Sequence, residues 1–156
     1  MPDPSAPSDG ILVVSVEDYL RRRSDFFFGS RGPSAEIIAG SIAEGALVLG
    51  ARRTLVAEEA GWWYVCADLD WFSVQTRADV NEGNAFQTIW AFPELGVNTN
   101  RWEVFARVFA KRTFSIADGR VLRVKGDLPP DADLQAQVVP LGEWKRVIGF
   151  EFSASV

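Results

Sequence analysis

The chain has 156 residues, a length that fits one domain around a single core. It is 47% hydrophobic and carries a net charge of −5 with a pI near 4.8. That balance argues against a general nucleic-acid or anionic-membrane binder, which needs a basic face. There is no histidine and one cysteine, Cys66, which excludes Ser-His-Asp and Cys-His catalysis, His-ligated metals, a self-phosphorylating histidine kinase and an internal disulfide.

Residues 1–10 are rich in Pro, Ser and Asp and lack the basic and apolar parts of a signal peptide. They are expected to form a flexible tail before a single domain spanning 11–156. No apolar run approaches the ~18–20 residues of a membrane span. Thirteen arginines against three lysines is a bias of high-GC bacterial genomes, so a bacterial cytoplasm is the expected setting.

Ile11 to Val14 is a β-branched run and reads as a leading strand. Ser15 offers an N-cap, and Val16 to Arg23 reads as a short helix. Asp25-Phe26-Phe27-Phe28-Gly29 reads as an apolar strand or turn. Pro33 and Ser34 then start a helix over Ala35 to Leu49, with Ile38, Ile42, Ala46 and Leu49 on one face and Gly50 as its cap.

Thr54 to Glu59 and Trp62 to Leu69 predict strands around a turn at Ala60-Gly61. The adjacent Trp62 and Trp63 must point to opposite faces of the sheet. Cys66, inside this apolar run, reads as a buried, inert thiol. Asp70 to Asn84 and Pro93 to Asn100 predict loops, and Arg101 to Lys111 a helix. Thr113 to Ala117 and Arg120 to Lys125 predict a hairpin at Asp118-Gly119. Leu134 to Val139 and Lys145 to Phe152 predict closing strands. The order implies an α/β (α+β) two-layer sandwich, a mostly antiparallel mixed sheet with helices on one face.

These residues in this order resemble the GHKL (Bergerat-fold) ATPase domain, most closely that of gyrase B. The arginine-rich stretch Glu17 to Arg23 followed by Phe26-Phe27-Phe28-Gly29 is similar to the family's opening. Glu36 to Ala46 is similar to its E-x-x-x-N-x-x-D-E-A helix. The strand pair with Asp68 is similar to the D-x-G-x-G motif. Leu95-Gly96-Val97-Asn98 takes the place of the glycine-rich lid. Val147-Ile148-Gly149-Phe150 is similar to the last strand.

The resemblance implies a water-polarising role for Glu36 and adenine recognition by Asp68. The departures from it weigh more. Gly40 stands where an Asn holds Mg²⁺, and glycine has no ligand to offer. Asp70 and Phe72 replace the two glycines of D-x-G-x-G. Arg146 falls at about the position of the family's threonine. The expected protein is therefore not an enzyme. It has no catalytic residue beyond a residual Glu36 and no strong Mg²⁺ site, and it acts through a protein partner as an adaptor, a regulatory subunit or a neutralising component. Homo-oligomerisation stays open.

The alternative is a weak ATP or ADP binder or nucleotide sensor, with Asp68 on adenine and Asn98, Thr99 and Asn100 on phosphate. Trp71, Phe72, Trp90 and Phe92 lie in loops around the old cleft. They are read either as exposed interface anchors or as the filling of a collapsed pocket. A small-molecule pocket lined by Trp71, Phe72 and Trp90 is a third reading.

Overall fold

The computed structural model describes residues 14–152. Residues 1–13, with the expected tail and all of the leading strand but Val14, lie outside the described residues. Helix α1 (Val16–Arg22) starts as expected. The Ser15 hydroxyl accepts the Asp18 N–H at 3.1 Å, and acids in the first turn and arginines in the last complement the helix dipole.

The phenylalanine run is a correction. Ser24–Phe28 is a short helix, α2, and not a strand. Phe27 and Phe28 pack edge-to-face on Trp102 and Phe105, and Phe28 also on Phe109. Tertiary contact has overridden the local β preference of the run.

Helix α3 (Ala35–Val48) is capped by Ser34, whose hydroxyl accepts the Ile37 N–H at 3.2 Å. Its buried face is Ala35, Ile38, Ala39, Ile42, Ala43, Gly45 and Ala46. These mostly small residues let the helix lie close on the sheet. Leu49 is the cap, and Gly50 follows it at φ 119°.

Among the described residues the sheet has five strands: β1 (Thr54–Glu59), β2 (Trp62–Ala67), β3 (Arg112–Ala117), β4 (Arg120–Lys125) and β5 (Arg146–Glu151). Their spatial order is β1-β2-β5-β3-β4, and every pairing is antiparallel. Two hairpins thus flank a central strand that comes last in sequence. Between them, α4 (Glu103–Val108) is shorter than the expected 101–111 span.

Helices α1 to α4 cover one face, over a core that includes Leu20, Ile38, Ile42, Val65, Phe105, Ile148 and Phe150. The two-layer α+β sandwich is therefore present. The opposite face carries a smaller cluster of Trp62, Tyr64, Cys66, Phe114, Leu128, Leu134 and Val147. Trp62 and Trp63 go to opposite faces, as the pleat requires.

Leu134 to Val139 is a second correction. Asp131–Val138 is a helix, α5, which sends Leu134 into the smaller cluster. Pro130 before it and the acids Asp131 and Asp133 in its first turn suit a helix start. No helix among the described residues is long and apolar enough to cross a membrane.

Gly149 sits at the centre of β5 opposite Phe114. A Cβ there would lie 2.5 Å from the Phe114 ring, well inside van der Waals contact. Gly149→Ala is expected to cost about 2 kcal/mol from overpacking. Pairing it with Phe114→Leu should return part of that loss. Urea melts of the single and double variants check this, and an unperturbed Gly149→Ala would show that the ring moves aside freely.

Candidate functional site

The expected site residues do not surround one cavity. Glu36 and Gly40 lie on the exposed side of α3, opposite the face that meets the sheet. An added Cβ at Gly40 would meet nothing within 4 Å, whereas one at Gly45 would stand 3.0 Å from the Phe92 ring. The long segment between β2 and α4 therefore packs on the Gly45 side of the helix.

Asp68 is a turn residue. Its carboxylate accepts the Arg52 N–H at 2.9 Å, and its own N–H donates to the Arg53 carbonyl at 3.2 Å. These contacts hold the end of β2 against the start of β1. Hydrogen bonds from the Arg53 backbone, then the Arg52 backbone, hold its carboxyl below the usual range.

Asp70 turns the other way. It forms an Asx turn with the Phe72 N–H at 3.1 Å and receives Arg146 Nε at 2.5 Å and Nη2 at 3.2 Å. Arg146, 1% exposed, also donates to Glu82 at 3.0 Å and to the Ser115 hydroxyl at 2.7 Å. Its guanidinium lies 4.3 Å from the centre of the Phe72 ring. One buried cation thus gathers β3, β5 and both ends of the segment from Asp70 to Glu82.

A second buried pair lies at the start of α4. Arg101 donates through Nε and Nη2 to one oxygen of Glu103, at 2.9 and 2.5 Å. Trp71 Nε1 reaches the same oxygen at 3.3 Å. The Arg101 guanidinium sits 5.3 Å from the Phe92 ring and 6.0 Å from the Phe72 ring.

The interface expectation is corrected for three of its four residues. Trp71, Phe72 and Phe92 are 1%, 4% and 3% exposed. The buried ion pairs and the Gly45 face of α3 supply the partners that enclose them. Trp90 is half-buried, with its indole N–H on the Asn84 carbonyl at 3.0 Å. The cavity beside Phe72, about 490 Å³, is lined by Ser73 to Thr76 and Asp79 to Asn81, without Trp71 or Trp90.

The polar groups expected on phosphate are used locally. The Thr99 hydroxyl lies 2.6 Å from the Phe92 carbonyl and 2.7 Å from that of Gly96. Asn98 occupies a turn at φ 61°, and Asn100 bridges to Ala91. No hydrogen bond joins any of the three to Asp68.

Cys66 is fully buried, and burial pushes its thiol up to about 12. It is protonated and inert at neutral pH. Arg146, Arg101 and Glu103 were not singled out as buried charges by the sequence. The available signals were an arginine heading the apolar run Val147 to Phe150, and an Arg-x-Glu spacing at a helix start.

Glu151 bears on acid stability. Arg112, at 2.5 Å, and then Lys111 hold its carboxyl below the usual range. A depressed folded value stabilises the fold above the unfolded value, about 4.3 for Glu. That stability drains away as pH falls through the lower folded value. Melting temperature should therefore fall below about pH 4, and Glu151→Gln should flatten that limb. An identical acid limb in the variant would assign the loss to other groups.

No protein-family model, curated protein or solved structure matches this chain.

Proposed function

We propose that this chain is a non-catalytic GHKL-like protein, similar in pattern to gyrase B, that acts by binding another protein in the bacterial cytoplasm. The observation that carries the reading is the Asp70–Arg146 pair. Asp70 stands where the resemblance places a glycine beside the nucleotide, and Arg146 where it places a threonine. The two departures are bonded to each other. Together with Phe72 they put the chain's own charges and ring where the resemblance would put a ligand.

The order of elements supports the same reading. An arginine-rich helix, the Glu36 helix, a hairpin, a lid-position loop, a helix, a hairpin and a closing strand follow in the expected sequence. The helical α2, and helix α5 where the sequence predicts a strand, are its departures at that level. Gly40 offers Mg²⁺ no ligand, and Asp68 is engaged with backbone. What remains for function is surface. Phe26 is 76% exposed, and β1 and β4 are the sheet's edges among the described strands.

Calorimetric titration of the full chain with ATP and ADP, with and without Mg²⁺, tests the reading. No heat is expected up to about 1 mM ligand, a regime of about −4 kcal/mol. Micromolar binding would overturn it and make the chain a nucleotide sensor.

A further inference from the structure

Among the described residues strand β4 pairs with β3 alone, and no described strand lies along its other side. Asp118 and Gly119, at φ 52° and 69°, form a two-residue turn between Ala117 and Arg120. Such a turn closes on a hydrogen-bonded pair. Antiparallel alternation then turns the backbone groups of Val121 and Arg123 outward. Neither enters a turn or loop backbone hydrogen bond among the described residues.

Beside this edge lies a cavity of about 430 Å³. Phe86, Leu122 and Val124 form its apolar floor, and Glu82, Arg107 and Arg123 its polar rim. Leu122 and Val124 point to the helix-covered face. A strand laid along β4 would drop every second side chain into this space.

The edge is also basic within an acidic chain. The charged residues of β4 are Arg120, Arg123 and Lys125, with no acid among them. Arg120 and Arg123 have carboxylate partners in Glu82 and Asp131. Arg107 donates to the carbonyls of Phe86 and Gln87, and Lys125 to those of Val108 and Ala110. Among the described residues neither of these two makes a salt bridge. Desolvation first, then repulsion from Arg21 and Arg107, lowers the Lys125 pKa, with Glu17 opposing. Charges alone would suffice to guard a bare edge against aggregation. The apolar-floored cavity beside them has no part in that guard.

We propose that the β4 edge and its cavity receive an extended segment of a partner protein, added as a sixth strand, whose cavity-facing side chains, two residues apart, are apolar over Phe86, Leu122 and Val124 and Asp or Glu beside Arg107. This rests on the protein-binding reading above and names the chemistry of the partner. The test pans the full chain against a random dodecapeptide display library. Enriched peptides should carry apolar residues and Asp or Glu two positions apart, on one face of the strand. A selected peptide should slow exchange of the Val121 and Arg123 amides, and Arg107→Glu should weaken it about tenfold, a change of about 1.4 kcal/mol.

Several results would overturn the proposal. They are no enrichment, enriched peptides without acids, protection at β1 instead, or protection at β4 that appears with chain concentration alone, which would mark a second copy as the occupant. Nucleotide heat would sink the reading of a filled nucleotide position whatever the peptides do. Failed selection without nucleotide heat would sink the β4 site alone.

Discussion

Replacing Glu103 by alanine is expected to cost about 4 kcal/mol of stability. Both members of the Arg101–Glu103 pair are 3% exposed. Removing the carboxylate leaves a guanidinium between Phe72 and Phe92 with no countercharge and little water. It also strands the indole N–H of Trp71, which donates to the same oxygen. For a domain of this size the melting temperature should drop by roughly 12 °C. The double variant Arg101→Met, Glu103→Leu should recover most of the loss, because no charge is then left buried. Denaturant melts followed by tryptophan emission read both. A double variant as unstable as the sum of the singles would show that packing at these positions, and not the stranded charge, sets the cost.

Arg146→Ala is the second large effect, expected at about 3 kcal/mol. It is smaller because Asp70 and Glu82 keep 27% and 31% exposure, so water can partly replace the lost cation. Arg146→Lys should restore about half of that loss, since a single ammonium cannot span Asp70, Glu82 and Ser115 as the planar fork does. The loss should also be local first. Hydrogen exchange across residues 70–86 should quicken before the sheet opens. Unchanged exchange there, with a normal melt, would show that the segment is held by its aromatic residues alone.

What the sequence made legible followed from period and punctuation. The spacing of Ile38, Ile42 and Ala46 between Ser34 and Gly50 marks α3, and Asp118-Gly119 marks the β3–β4 hairpin. The phenylalanine run misled because three adjacent aromatics look β-like. Their helical state depends on Trp102, Phe105 and Phe109, far along the chain. Leu134 to Val139 misled because Leu-Gln-Ala-Gln-Val alternates like a strand, although only Leu134 of α5 is fully buried.

The candidate site was less legible. Trp71, Phe72 and Phe92 belong to segments without regular period, so nothing local says whether they face water or core. Arg146 meets partners 76, 64 and 31 residues away in sequence. A pairing of that range leaves no short-range trace. The resemblance that singled out positions 70 and 146 could not say that the two residues are bonded to each other.

The central position of β5 has a consequence for how the protein is made. Each hairpin is local and can form as soon as its own residues are available. The strand that joins them is synthesised after both. On the ribosome the two hairpins must wait, with their inner edges bare, until Arg146–Glu151 clears the exit tunnel. Unpaired edges of that kind are sticky toward other chains. The interval between the end of β4 and the release of β5 is therefore when a newborn copy has most need of a chaperone.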